Sequence, residues 1–311
     1  MHADRDTSTS KNRHVPPGTK NGMAVADRAE WPTPRDKISA PDHYEVWLNE
    51  RDAASANSAA ESLADGHSVH VQKLASASEC DALKTFAATA HDRLYGDAIA
   101  SVVYGNANFD EDVAGRARMA LSSLKEEADS SGGSALESDG LALCEALFVR
   151  SLALLDDQLP TLHPLLFGSL PLTCSTNDEL TFSHGEPAIN VYTRGGDFKA
   201  HTDKQSLTIL LVLSGEDEFE GGGTAFFSDD VVSEWKTSRV EKQRVNDLSE
   251  TPIGDPIQVL RPPAGTALCF AGQVMHSGVR VDSGKRVVLV ASFSKVVHSM
   301  IIEGVRVNLS R

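Results

Sequence analysis

Residues 201–213 read HTDKQSLTILLVL, and two features of that stretch set the reading of the whole chain. From Ser206 onward the run is almost continuously apolar and too short for an ordinary helix. That predicts a strand covered on both faces. Immediately ahead of it stand His201 and Asp203. At the end of a strand, residues i and i+2 project to the same side, so this imidazole and this carboxylate can reach one metal ion together. A third ligand has to come from a distant strand, and His276 is the candidate. Two imidazoles and one carboxylate on one face of an octahedron leave three positions open, an arrangement that suits iron(II) oxygen chemistry.

Downstream of about residue 170 the sequence consists of short β-rich runs broken by Gly and Pro, at 189–193, 207–213, 224–227, 257–261, 266–270, 278–281 and 286–293. Many short strands of this kind predict a sandwich or a double-sheet jelly roll. Along 286–293, alternation places Arg286, Val288 and Val290 on one face, a charge at the mouth of an apolar interior. Cys269 sits inside a β run and reads as a small buried apolar residue.

Upstream the periods are helical. A helix is predicted over Tyr44–Leu63, then a short strand from His70 to Leu74. Ser76 and Glu79 supply the cap and acidic first turn of the next helix, whose Leu83, Phe86, Ala87 and Ala90 bury one face. Two more helices are predicted at about 115–127 and 137–158, separated by a turn at Ser130-Ser131-Gly132-Gly133. These helices are the cover expected for the buried strand. Residues 1–40, with Pro16, Pro17, Pro32 and Pro34 and little apolar period, read as a disordered N-terminal arm. The expected organisation is therefore an arm over 1–40, a helical support region over 41–170 with one strand leading into it, and a jelly-roll domain over 171–311. The class is α+β with a mainly β core and N-terminal helices packed on one sheet.

The composition narrows the function. With 311 residues the chain is long enough for a substantial core. A net charge of −15 repels phosphate backbones and argues against a nucleic-acid partner. No window reaches the ~18 apolar residues of a membrane span, and the N-terminus lacks the apolar centre of a secretory signal. An intracellular, cytoplasmic location is expected. Cys80, Cys144, Cys174 and Cys269 lie far apart without C-x-x-C spacing, which points to free thiols.

The metal-ligand candidates lie in an ordered context. Tyr192 and Gly195 precede His201, and Gly221-Gly222-Gly223-Thr224 follows it. Arg261-Pro262-Pro263-Ala264-Gly265 then turns into a strand, His276 comes next, and Arg286 stands ten residues after it. This ordered set resembles the prolyl 4-hydroxylase-like branch of the 2-oxoglutarate- and iron(II)-dependent oxygenases over about residues 187–295. A weaker resemblance extends to 68–92.

The resemblance implies that His201, Asp203 and His276 bind Fe(II). It implies that Arg286 grips the distal carboxylate of 2-oxoglutarate, a pairing that suits the fork of a guanidinium. It also places the Tyr192 hydroxyl near that co-substrate, makes Thr224 structural and adds ascorbate as a reductant. The implied reaction is hydroxylation of an unactivated C–H bond with release of succinate and carbon dioxide. A prolyl residue in a protein or peptide is the first substrate to test, ahead of lysyl side chains and small molecules. Two departures stand out. Phe198, three residues before His201, carries no hydroxyl, and the charged segment 228–255 reads as a surface insertion, a short helix or a lid, where substrate choice would lie.

Several residues allow rival readings. His184 and Glu186 form an alternative ligand pair, with His184 more often an ordinary loop histidine. Arg280 reads as solvated or paired, and Glu216, Asp217, Glu218 and Glu220 as a solvated turn. For the whole protein the alternatives are a catalytically silent jelly-roll binding or sensing domain, and a cupin-like metalloenzyme that does not use 2-oxoglutarate. An intact triad with a matched arginine counts against the first, and the second would leave Arg286 without a task.

Overall fold

A computed structural model of the chain describes residues 43–48, 58–95, 115–131, 134–167, 180–244, 253–295, 301–302 and 305–306. The arm expected over 1–40 and Cys174 lie outside these residues. The N-terminal half alternates β1 (His43–Trp47), α1 (Ala59–Ala64), β2 (Ser68–Lys73), α2 (Ala77–Tyr95) and β3 (Arg116–Ala120). It continues with α3 (Leu121–Ser131), α4 (Ala135–Gln158) and α5 (Leu162–Phe167). Strands then dominate: β4 (Leu180–Phe182), β5 (Ala188–Tyr192), β6 (Phe198–His201), β7 (Leu207–Val212), β8 (Phe219–Gly221) and β9 (Thr224–Phe226). Helix α6 (Asp229–Arg244) precedes β10 (Gln258–Leu260), β11 (Thr266–Ala271), β12 (His276–Gly278), β13 (Val281–Gly284) and β14 (Arg286–Lys295). A terminal pair, β15 (Ile301–Ile302) and β16 (Val305–Arg306), ends the described chain.

The large sheet has the order β1-β2-β11-β7-β14-β5-β3, with β4 also pairing β14, and the small one the order β10-β9-β12-β6. The pairings in both sheets are antiparallel. Residues of both sheets share one apolar cluster, in which Val69, Leu210, Val212, Leu268 and Val288 of the large sheet meet Phe226 and Leu260 of the small one. The protein thus has a mixed helix-and-sheet fold with two antiparallel sheets facing each other across a core.

The opposite face of the large sheet lies under helices. Leu207, Ile209 and Leu211 of β7 and Val287, Leu289 and Phe293 of β14 join Phe86 of α2 and Leu147 and Leu155 of α4 in a second cluster. The near-continuous apolar run of β7 is therefore covered on both faces, as its sequence predicts. Phe293 is fully buried there, with Phe148, Phe167 and Phe182 rings at 5.2, 5.9 and 6.0 Å. Helices α2 and α4 cross closely at Gly140, where a Cβ would overlap the Phe86 ring. Ser76 and Glu79 cap α2 reciprocally: the Ser76 N–H donates to Glu79 at 2.8 Å and the Glu79 N–H to the Ser76 hydroxyl at 3.3 Å. Glu79 also pairs with Arg150 of α4 at 2.9 Å. Ser134 and Glu137 form the same box at the start of α4.

Three expectations need correction. The helix expected over Tyr44–Leu63 is instead strand β1 at its start and helix only from Ala59. Tyr44, Val46 and Trp47 favour strands, and the register Tyr44↔Val71, Val46↔Val69 pairs the segment with β2. The helix expected at 115–127 begins only at Leu121, because Arg116–Ala120 pairs with β5 at the sheet edge. The strand expected at 278–281 is divided into β12 and β13. Cys80, Cys144 and Cys269 are buried free thiols, as expected. Among the described residues no helix is long and apolar enough to cross a membrane.

Candidate metal centre and anion pocket

His201 closes β6 and His276 opens β12, and the two stand directly opposite each other in the small sheet. Their rings lie 4.3 Å apart. Asp203 follows on the loop after β6, where its N–H donates to the Gly272 carbonyl at 2.8 Å. Gly272 has to be a glycine, since a Cβ there would overlap the Gln205 carbonyl oxygen. This close approach of two turns sets the Asp203 carboxylate beside both imidazoles.

Each imidazole is oriented through its far nitrogen. His201 Nδ1 lies 2.8 Å from the Lys199 carbonyl oxygen and His276 Nδ1 3.0 Å from that of Val274. A carbonyl only accepts, so each Nδ1 carries a proton and donates it, leaving Nε2 as the free donor atom toward a metal. His201 Nε2 is 3.6 Å and His276 Nε2 3.7 Å from the nearest Asp203 oxygen. Those separations exceed hydrogen-bond reach. One ligand atom from each of the three side chains falls within 4.8 Å of the others. Burial first, and His276 next to it, push the His201 imidazole down to about 4 against the opposing pull of Asp203, so it is neutral near pH 7. Two imidazoles and one carboxylate fit a divalent first-row metal.

The three residues line a cavity of about 680 Å3 together with Tyr192, Thr224 and Arg286. Arg286 is only 2 % exposed. Its Nη2 donates to the Thr224 hydroxyl at 3.0 Å, and its guanidinium lies 5.3 Å from the centre of the Tyr192 ring. No carboxylate of the described residues lies within ion-pairing reach of it. Burial accordingly pushes its pKa down. A buried cation without a counter-charge is costly, and an anion entering the cavity would relieve that cost. The pocket is shaped by the glycine run ahead of Thr224. Gly221, Gly222 and Gly223 have φ of 70°, 67° and 106°. A Cβ at Gly222 would lie 2.7 Å from the Phe219 ring and 3.3 Å from Arg286 Cδ.

All five residues singled out from the sequence, His201, Asp203, His276, Tyr192 and Arg286, thus meet in one cavity. The alternation expected along β14 holds: Arg286, Val288 and Val290 face inward, while Val287 and Leu289 lie under the helices. Register adds Arg286↔Tyr192 and Tyr192↔Arg116 side by side across three strands. The Phe198 ring sits 4.4 Å from His201, with the Arg116 guanidinium 4.3 Å from its centre.

The rival readings resolve differently. Glu186 lines the cavity but is engaged by Arg118 at 2.7 Å and by the Ser292 N–H, which removes it as a ligand. His184 is on the cavity wall. Arg280 is exposed and outside the lining. Glu218 is not simply solvated: it pairs with Lys84 of α2 at 2.8 Å. The described part of the 228–255 segment does not reach the cavity. Val231, Val232 and Trp235 of α6 pack instead on Ala225, Phe227, Met275 and Val279, the outer side of the small sheet. Thr224, read from the sequence as structural, supports Arg286 directly. Sequence reasoning missed two residues, Thr208 and Ser292, which stand behind Asp203. Hydroxyls on the inward positions of apolar strands were the signal available.

No family model and no curated protein matches the chain. Solved structures similar to it include 2-oxoglutarate- and iron(II)-dependent oxygenases and prolyl hydroxylases. An oxygenase of that family from Burkholderia pseudomallei is 15 % identical, with a TM-score of 0.31; 51 % of this chain and 58 % of that one are covered. The viral collagen prolyl hydroxylase of Paramecium bursaria Chlorella virus-1, in complex with 2-oxoglutarate, is 13 % identical, with a TM-score of 0.39 and 76 % and 99 % covered. A Pseudomonas putida prolyl-4-hydroxylase is 14 % identical, with a TM-score of 0.40 and 75 % and 98 % covered.

Proposed function

We propose that the chain is an iron(II)- and 2-oxoglutarate-dependent dioxygenase that hydroxylates an unactivated C–H bond, built on a double-stranded β-helix. One observation carries the reading: a His–Asp–His cluster and a buried guanidinium, with no carboxylate of the described residues in ion-pairing reach, open into the same cavity. A metal site alone would suit many enzymes. The second feature asks for an anion beside the metal, and 2-oxoglutarate, with a metal-chelating end and a free carboxylate end, answers both.

His201, Asp203 and His276 would hold the iron, which when bound supplies dioxygen activation coupled to decarboxylation of 2-oxoglutarate to succinate. Arg286 and Thr224 receive the distal carboxylate, the guanidinium by charge and the hydroxyl by fixing its fork. Tyr192, stacked near Arg286, closes that end of the pocket. Leu210 and Val290 line the wall and limit water around the reacting centre. Ascorbate as an accessory reductant belongs to the same proposal. So do a prolyl residue of a protein or peptide as first substrate, and the division into an arm at 1–40, a support region at 41–170 and an oxygenase domain at 171–311.

The test is direct. Protein prepared under argon is expected to bind about one iron(II) per chain, and to release succinate when given 2-oxoglutarate and air. The double variant His201→Ala/His276→Ala is expected to lose both. Metal binding without succinate from any peptide or amino-acid candidate would favour a metalloenzyme that does not use the 2-oxo acid.

A further inference from the structure

The two oxygens of Asp203 have different surroundings. Oδ1 lies 3.6 Å from His201 Nε2, and Oδ2 lies 3.7 Å from His276 Nε2. Oδ2 accepts a hydrogen bond from the hydroxyl of Thr208, a fully buried residue of β7. That hydroxyl lies 2.9 Å from the Ser292 hydroxyl of β14, directly opposite in the register. An ionised carboxylate only accepts, so Thr208 gives its single proton to Asp203, and Ser292 gives its own to Thr208. Beyond them the Ser292 N–H donates to Glu186, whose other oxygen pairs with Arg118. A directed chain of hydrogen bonds thus runs from the sheet into the metal-ligand carboxylate. The packing of β7 does not call for a hydroxyl here, since a valine would fill the same volume.

We infer that Thr208 is a positioning residue that, through its hydrogen bond to Oδ2, holds the Asp203 carboxylate in place beside the two imidazoles. The inference rests on the metal-centre reading given above. Thr208 is not among the residues that line the cavity, and it would act through Asp203.

Cobalt(II), whose visible absorption reports coordination number, tests this under argon on the parent protein, Thr208→Val, Thr208→Ser and Ser292→Ala. A second titration with iron(II) and 2-oxoglutarate follows the charge-transfer colour of the chelate. Thr208→Val is expected to weaken cobalt binding about 10–100-fold and to change the absorption. Thr208→Ser is expected to restore both, with Ser292→Ala between. Melting of the metal-free proteins separates a folding defect from a ligand defect, and Ser292→Ala against Thr208→Ser decides the matter if the valine variant does not fold. Equal cobalt affinity and unchanged absorption in Thr208→Val and Ser292→Ala would overturn the inference while leaving the metal centre in place. A parent protein that takes up neither metal would overturn the metal-centre reading itself.

Discussion

Alternate residues of β14 meet two different environments. Val287, Leu289, Ala291 and Phe293 look outward into the layer beneath α2 and α4, which is closed by side-chain packing. Arg286, Val288, Val290 and Ser292 look inward, where buried polar groups accumulate: Arg286 on Thr224, Ser292 on Thr208, and Thr208 on Asp203. The same ten-residue strand therefore serves stability on one face and chemistry on the other. The lesson is about what burial means. Outward, a buried side chain stabilises by excluding water; inward, the Arg286 charge, which no carboxylate of the described residues offsets, carries a desolvation cost.

Substitutions on the two faces should accordingly fail in different assays. Phe293→Ala removes the centre of an aromatic cluster and is expected to cost about 3–5 kcal/mol of folding stability. Denaturant unfolding would measure it, and metal affinity of the folded fraction should not change. Arg286→Met is the counterpart on the inner face. Loss of the guanidinium is expected to cost about 2–5 kcal/mol of 2-oxoglutarate binding, read by calorimetry with a redox-inert metal. Folding stability should stay level or rise, because an uncompensated buried charge is removed. A large loss of stability in that variant would mean that Arg286 is a structural residue, and the contrast between the faces would collapse.

Smaller effects sharpen the picture of the helical layer. Gly140→Ala would normally favour a helix, but the added methyl would overlap Phe86, so a net loss of about 1–3 kcal/mol is expected. A stabilised variant would show that α2 and α4 can separate freely. The smallest effect concerns pH. The Arg150 guanidinium, and then Ser76, hold the Glu79 carboxyl down to about 2 from an ordinary 4.5. A carboxyl depressed in the folded state gives stability that is present above the unfolded value and lost as pH falls from 4.5 toward 2. Because the pair is partly exposed, the contribution is modest and screened by salt. Glu79→Gln should flatten the acid limb of the stability curve in that window while leaving metal uptake near neutrality unchanged.

Much of the inner face was legible because its signals are local. His201 and Asp203 are two residues apart, and the period of two along 286–293 shows which way Arg286 points. The Ser76–Glu79 box is equally self-contained. What stayed hidden depends on partners distant in the chain. β1 and β3 are strands because Val69 and Ile189 lie beside them, and nothing within 44–47 or 116–120 names those partners. Thr208 reads as an ordinary β-branched residue until Asp203 and Ser292 are folded onto it. Helix α6 was visible as an insertion, yet its apolar side chains do not say which sheet surface they cover.

The opposition of His201 and His276 across β6 and β12 has a consequence for assembly of the fold. Side chains on neighbouring positions of a strand point to opposite sides, so a slip of one residue between these strands would send one imidazole to the far surface. At the proposed metal centre, uptake would therefore gauge strand alignment: a refolding chain that colours with cobalt would have brought β6 and β12 into frame.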